Sequence, residues 1–133
     1  MYDTLVTEMD YLQETGTDLN AELNSIVNYD GVGSPAPLFI YQIENWCKEY
    51  LEEHYSFYDV PSNPKSLKMF KKGVIYQIEY VIANGSLNAN SGYSSENNTI
   101  IPKAELRKIA LSDDALRCFR LGGMANIRRG ELC

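Results

Sequence analysis

Two stretches of the chain open on a small polar residue followed by proline, then place apolar side chains every three or four positions. Ser34-Pro35 begins the first and Asn63-Pro64 the second. A serine or asparagine at a helix N-cap accepts a hydrogen bond from one of the unpaired N–H groups of the first turn. Proline at the next position has no N–H to leave unpaired. From Pro35 to about Tyr55 the stripe is Phe39, Ile43, Trp46, Cys47, Tyr50 and His54, with Glu44, Glu49, Glu52 and Glu53 largely off it. From Pro64 to about Asn84 it is Leu67, Phe70, Val74, Ile78, Val81 and Ile82, with Gly85 where a left-handed helix stop belongs. Gly73 interrupts the second stripe at a cost of about 1 kcal/mol relative to alanine, which close packing against a neighbour would explain. Two amphipathic helices of this length must bury their stripes against other elements, so the chain is expected to be mainly α.

Shorter elements surround that pair. Leu5, Met9 and Leu12 share a helical face that Gly16 ends, and Asp18 can cap a second short helix running to about Tyr29. Asp30-Gly31-Val32-Gly33-Ser34-Pro35 breaks the chain. Residues 86–99 are polar and turn-prone; Thr99–Ile101 and Leu106–Leu111 read as two short strands, the second equally as a helical turn. Ser112 caps a last helix over Asp113–Leu121, whose two leading acids suit the positive helix end, and Gly122-Gly123 stops it. The expected architecture is a small helical bundle with a β-hairpin or long polar loop inserted near residues 86–111. It forms one domain over residues 1–133 with a short tail from about 124.

The residues that carry catalysis are sparse and badly spaced. His54 is the only histidine. It lies seven positions from Cys47 on the same helix, about 10 Å along the axis, beyond reach for a nucleophile and its base. Cys47, Cys118 and Cys133 fit neither a disulfide framework nor a metal-ligand spacing. Asp113 and Asp114 are adjacent and do not face each other on a helix. Gly31-Val32-Gly33 and Gly122-Gly123 lack the lysine and hydroxyl residue of a phosphate loop. No catalytic, cofactor or metal site is therefore expected, and no enzyme. No apolar run approaches the roughly 20 residues that cross a bilayer, and the first residues lack a basic and apolar leader.

Charge is divided between the halves of the chain. Residues 1–60 hold twelve acids against Lys48 alone, a net −11, whereas residues 61–133 hold six acids and eleven bases, a net +5. Such asymmetry is read as nucleic-acid or membrane contact, as two surfaces that attract each other in neighbouring copies, or as an ordinary solvated surface into which folding mixes the charges. Lys65, Lys68 and Lys72 share one helix face, and Arg117, Arg120, Arg128 and Arg129 follow near the C-terminus. These basic residues admit a small nucleic-acid-binding or regulatory protein as an alternative reading.

The order of segments in the second half carries a family resemblance. A helix Gly73-Val74-Ile75-Tyr76-Gln77-Ile78-Glu79-Tyr80-Val81-Ile82-Ala83-Asn84-Gly85 leads into a Gly/Ser/Asn-rich stretch. Leu111-Ser112-Asp113-Asp114-Ala115-Leu116-Arg117-Cys118-Phe119-Arg120-Leu121-Gly122 follows, and then Arg128-Arg129-Gly130. Over roughly residues 64–130 this resembles the head–tail connector (adaptor, neck) proteins of tailed bacteriophages and prophages of Gram-positive hosts. Pro102 and Gly122-Gly123-Met124 depart from the pattern. The resemblance implies a virion structural protein, made in the host cytoplasm and placed in the virion neck. It would dock on the portal protein, meet a tail or head-completion protein, and form a ring with itself, commonly of twelve copies. DNA would only pass through the channel, and no membrane is involved. It also implies Ile127, Arg128 and Arg129 as portal contacts, and Asn88, Tyr93 and Glu96 as subunit-interface or channel-loop residues.

Overall fold

The computed structural model describes residues 3–26, 34–55, 63–84, 101, 106 and 108–125. Among them are five helices: α1 (Glu8–Thr15), α2 (Leu19–Asn24), α3 (Ala36–His54), α4 (Pro64–Ala83) and α5 (Asp113–Leu121). One core cluster draws on all five, and its largest fully buried side chains include Tyr11, Phe39, Phe70 and Phe119. The mainly α expectation holds.

Local chemistry explains most helix ends. Thr7 caps α1 and Asp10 returns the bond to the Thr7 N–H, a reciprocal capping box; Gly16, at φ 76°, ends the helix. Asp18 accepts from the Asn20 N–H at the start of α2. Asn63 accepts from the N–H groups of Lys65 and Ser66 at the start of α4, and Ser112 from that of Ala115 in α5. The start of α3 differs from expectation. Its N-cap is Pro35, not Ser34, and no local side chain caps it. The Ala36 N–H instead donates to Asn20 Oδ1 at 2.9 Å, so a side chain of α2 satisfies it across the fold. The Asn20 amide also donates to the Glu8 carboxylate of α1, tying three helices together.

Other expectations are corrected. α2 stops at Asn24, not near Tyr29, where the Ser25 hydroxyl bonds back to the Glu22 carbonyl and competes with helix continuation. Met9 and Leu12 are 58% and 40% exposed, and Tyr11 takes the inward place on α1 with its hydroxyl donating to Glu22 Oε1 at 3.0 Å. His54 is exposed, and the α3 stripe continues inward through Leu51 instead. No strand occurs among the described residues of 86–111. Leu106 is helical and the Ile109 N–H donates to its carbonyl at 3.2 Å, so this piece is a turn. Residues 86–100, including most of the expected hairpin or loop, lie outside the described residues, as does Gly85.

α5 packs closely on α4, and Gly73 allows it. A Cβ built on Gly73 would stand 2.7 Å from Phe119 Cζ, far inside van der Waals contact. The ring of Phe119 occupies the space where that side chain would be, with the Phe70 ring 5.8 Å away between centroids.

Candidate interaction surface

The buried polar groups hold the fold together. Glu44 is 1% exposed, and its carboxylate accepts from the Leu5 N–H at 2.9 Å and the Val6 N–H at 2.9 Å, with Lys48 Nζ at 3.4 Å. Gln77 is fully buried; its amide donates to the Ala110 carbonyl at 3.0 Å and accepts from the Ser112 N–H at 2.8 Å. Gln42 makes the same two-way contact with Ile101 at 2.8 and 3.4 Å. Each clamps a non-helical segment to a long helix by satisfying backbone groups that burial takes from water.

Neither Glu44 nor Gln77 was expected inside. The signal was their register: Ile40-Glu44-Cys47-Leu51 and Phe70-Val74-Gln77-Val81 both step by four, three and four. Polarity hid the stripe.

The titratable groups are arranged for structure as well. Cys47 is fully buried, and burial, aided by the Glu44 carboxylate, pushes its thiol strongly up, away from thiolate character. His54, at the exposed end of the same helix, stacks on Tyr50 with centroids 4.3 Å apart and does not approach the thiol. Tyr11 and Tyr76 are pushed up by burial and by the carboxylates that accept from their hydroxyls, Glu22 and Glu14. Among the described residues, no group of three or more His, Cys, Asp or Glu is placed to hold a metal ion, and no helix is long and apolar enough to cross a membrane.

Glu79 is raised by burial and by the nearby charges of Glu22, Glu14 and Asp114. The folded state therefore binds its proton more tightly than the unfolded chain. Stability from this residue is full below the ordinary carboxylate value and is lost as pH rises through the raised one. Glu79→Gln is accordingly expected to raise stability at pH 7 and to flatten its fall above about pH 4. Urea titrations of both proteins at several pH values measure this; parallel pH profiles would contradict it.

The surface carries two contrasting faces. On the outer side of α4, Lys65, Lys68 and Lys72 come together as their spacing requires, with Lys71 beside them paired to Asp10 at 3.7 Å. Lys65, Lys68 and Lys72 have no ion-pair partner among the described residues. A groove of about 400 Å³ lies toward α1, lined by Asp10 and Glu14 as well as by Leu67, Ile75 and the lysines 68, 71 and 72. A second, of about 390 Å³, lies toward α5 and includes Met69, Lys72, Tyr76, Arg117 and Leu121. On α3, Trp46, Tyr50 and His54 form a ladder one turn apart, with Trp46–Tyr50 centroids at 5.3 Å. Glu49 and Glu53 stand beside it, around a cleft of about 250 Å³. No family model, curated protein or solved structure matches this chain. The remaining expected contacts, Asn88, Tyr93, Glu96, Ile127, Arg128 and Arg129, lie outside the described residues.

Proposed function

We propose that the chain is a structural subunit that works by docking on other protein subunits, as a head–tail connector in the neck of a tailed bacteriophage. One observation carries the docking part. A single small fold presents a cationic ridge between two grooves of mixed charged and apolar lining, and an acidic aromatic edge elsewhere. Surfaces of opposite charge with aromatic and apolar groups exposed suit protein association. The order of segments supports the narrower part: a long helix, a polar insertion, a short capped helix and an arginine-bearing tail. On this reading the portal is the partner, a ring is the working form, and no catalysis is involved.

The test is co-expression with the portal protein of the same genome, followed by sedimentation and cryo-electron microscopy. The expected result is co-sedimentation, with density for a ring of this chain at the portal's tail-facing end. Arg128→Ala with Arg129→Ala should weaken that docking while the chain stays folded. A portal that sediments alone under low and physiological salt would overturn the reading. The free lysines of α4 favour a second reading, nucleic-acid binding, which predicts DNA affinity falling steeply with salt.

A further inference from the structure

The lysine ridge and the acidic edge match each other in spacing as well as sign. Lys68 and Lys72 are four residues apart on α4, and Glu49 and Glu53 are four apart on α3. Each pair spans about 6 Å along its helix axis. Lys71 is occupied by Asp10, which leaves Lys65, Lys68 and Lys72 to pair; of these Lys68 and Lys72 line the groove toward α1, and Lys72 borders both grooves. Beside them the grooves offer Leu67 and Met69, both half-buried, and Leu121, 60% exposed. Beside the glutamates lie Trp46 and Tyr50, both half-buried.

We propose that the α4 ridge and its flanking grooves seat the Glu49–Glu53 edge of α3 from a second copy of this chain. Two charge pairs set the register, while the rings of Trp46 and Tyr50 lie against the groove residues and the lysine stems. The two patches differ and one copy bears both, so the contact is heterologous and propagates from subunit to subunit. This deepens the proposed ring-forming role and rests on it for its biological setting, though the contact can be measured without a portal.

A nucleic acid is the rival occupant of the ridge, and the groove chemistry disfavours it. A phosphate backbone gains nothing from Leu67, Met69 and Leu121. The α3 edge presents the two charges that Lys68 and Lys72 match, with the exposed Glu52 next to them in sequence, and it brings the rings of Trp46 and Tyr50 for the grooves.

The experiment is sedimentation of the whole chain in about 50 mM and about 500 mM salt, because screening separates charge pairing from apolar association. Wild type should associate at low salt and retreat toward monomer at high salt. K68E/K72E and E49K/E53K should each associate at least about tenfold more weakly. An equimolar mixture of the two should recover assembly, since each reversed patch then faces its opposite. All four positions are exposed or half-exposed, and circular dichroism of each variant checks that it is folded. A mixture that stays monomeric overturns the inference, as does wild type that is monomeric near 1 mM at low salt. Either result with portal co-sedimentation retained removes this contact and leaves the connector reading standing. Duplex DNA binding that K68E/K72E abolishes, with no recovery in the mixture, assigns the ridge to nucleic acid and overturns the proposal.

Discussion

Glu44→Ala is expected to destabilise the fold by about 3 kcal/mol and to free the segment before α1. The carboxylate is 1% exposed and accepts from two successive backbone N–H groups, those of Leu5 and Val6. Hydrogen bonds to a charged group contribute about 1.5–3 kcal/mol each, and a buried donor left unpaired pays its full desolvation. Alanine supplies no acceptor, so the Val6 N–H, buried with its residue, loses its partner outright. Lys48 adds little: its side chain is 31% exposed and its ammonium lies 3.4 Å from the carboxylate, so Lys48→Met should cost under about 1 kcal/mol. Glu44→Gln keeps one acceptor oxygen and should fall between. Urea denaturation gives the energies, and hydrogen exchange at the Leu5 and Val6 amides gives the location. Unchanged exchange at those amides in the alanine variant would show that the carboxylate does not hold the segment.

That position also shows where the sequence could be read and where it could not. Helix starts at Asp18, Asn63 and Ser112 depend on one side chain and the next few N–H groups, so local chemistry is enough to find them. The start of α3 escaped because its cap comes from Asn20, sixteen residues away. Glu44 and Gln77 escaped because their burial depends on partners 38 and 33–35 residues distant in sequence. A polar residue in an apolar register is read as surface until its backbone partner is known. The α1 face differs from its spacing for a related reason: the burial of Tyr11 goes with a hydrogen bond from its hydroxyl to the Glu22 carboxylate of α2. For the candidate surface, the lysine row on α4 was legible from helical spacing alone. The two grooves flanking it were not, since each needs a second helix, α1 or α5, laid alongside.

The second large effect lies at the contact between α4 and α5. Phe119→Ala is expected to cost about 4 kcal/mol, as a fully buried ring is lost and a void remains against Phe70 and Gly73. Gly73→Ala approaches the same contact from the other side. Alanine should gain about 1 kcal/mol of helix propensity, but its Cβ would stand 2.8 Å from Phe119 Cδ1 and 2.7 Å from Cζ. Those atoms belong to a rigid ring with no exposed surface, so overpacking of about 1–3 kcal/mol should exceed the gain. The sign should reverse once the ring is gone: in a Phe119→Ala background, Gly73→Ala should stabilise by up to about 1 kcal/mol. A double-mutant cycle by urea denaturation isolates this coupling, which is large only if the two residues act through one contact. Equal destabilisation by Gly73→Ala in both backgrounds would mean that the helix needs glycine there for some reason other than the ring. The reversal would establish that a residue unfavourable to α4 as a helix is what lets α5 close the core.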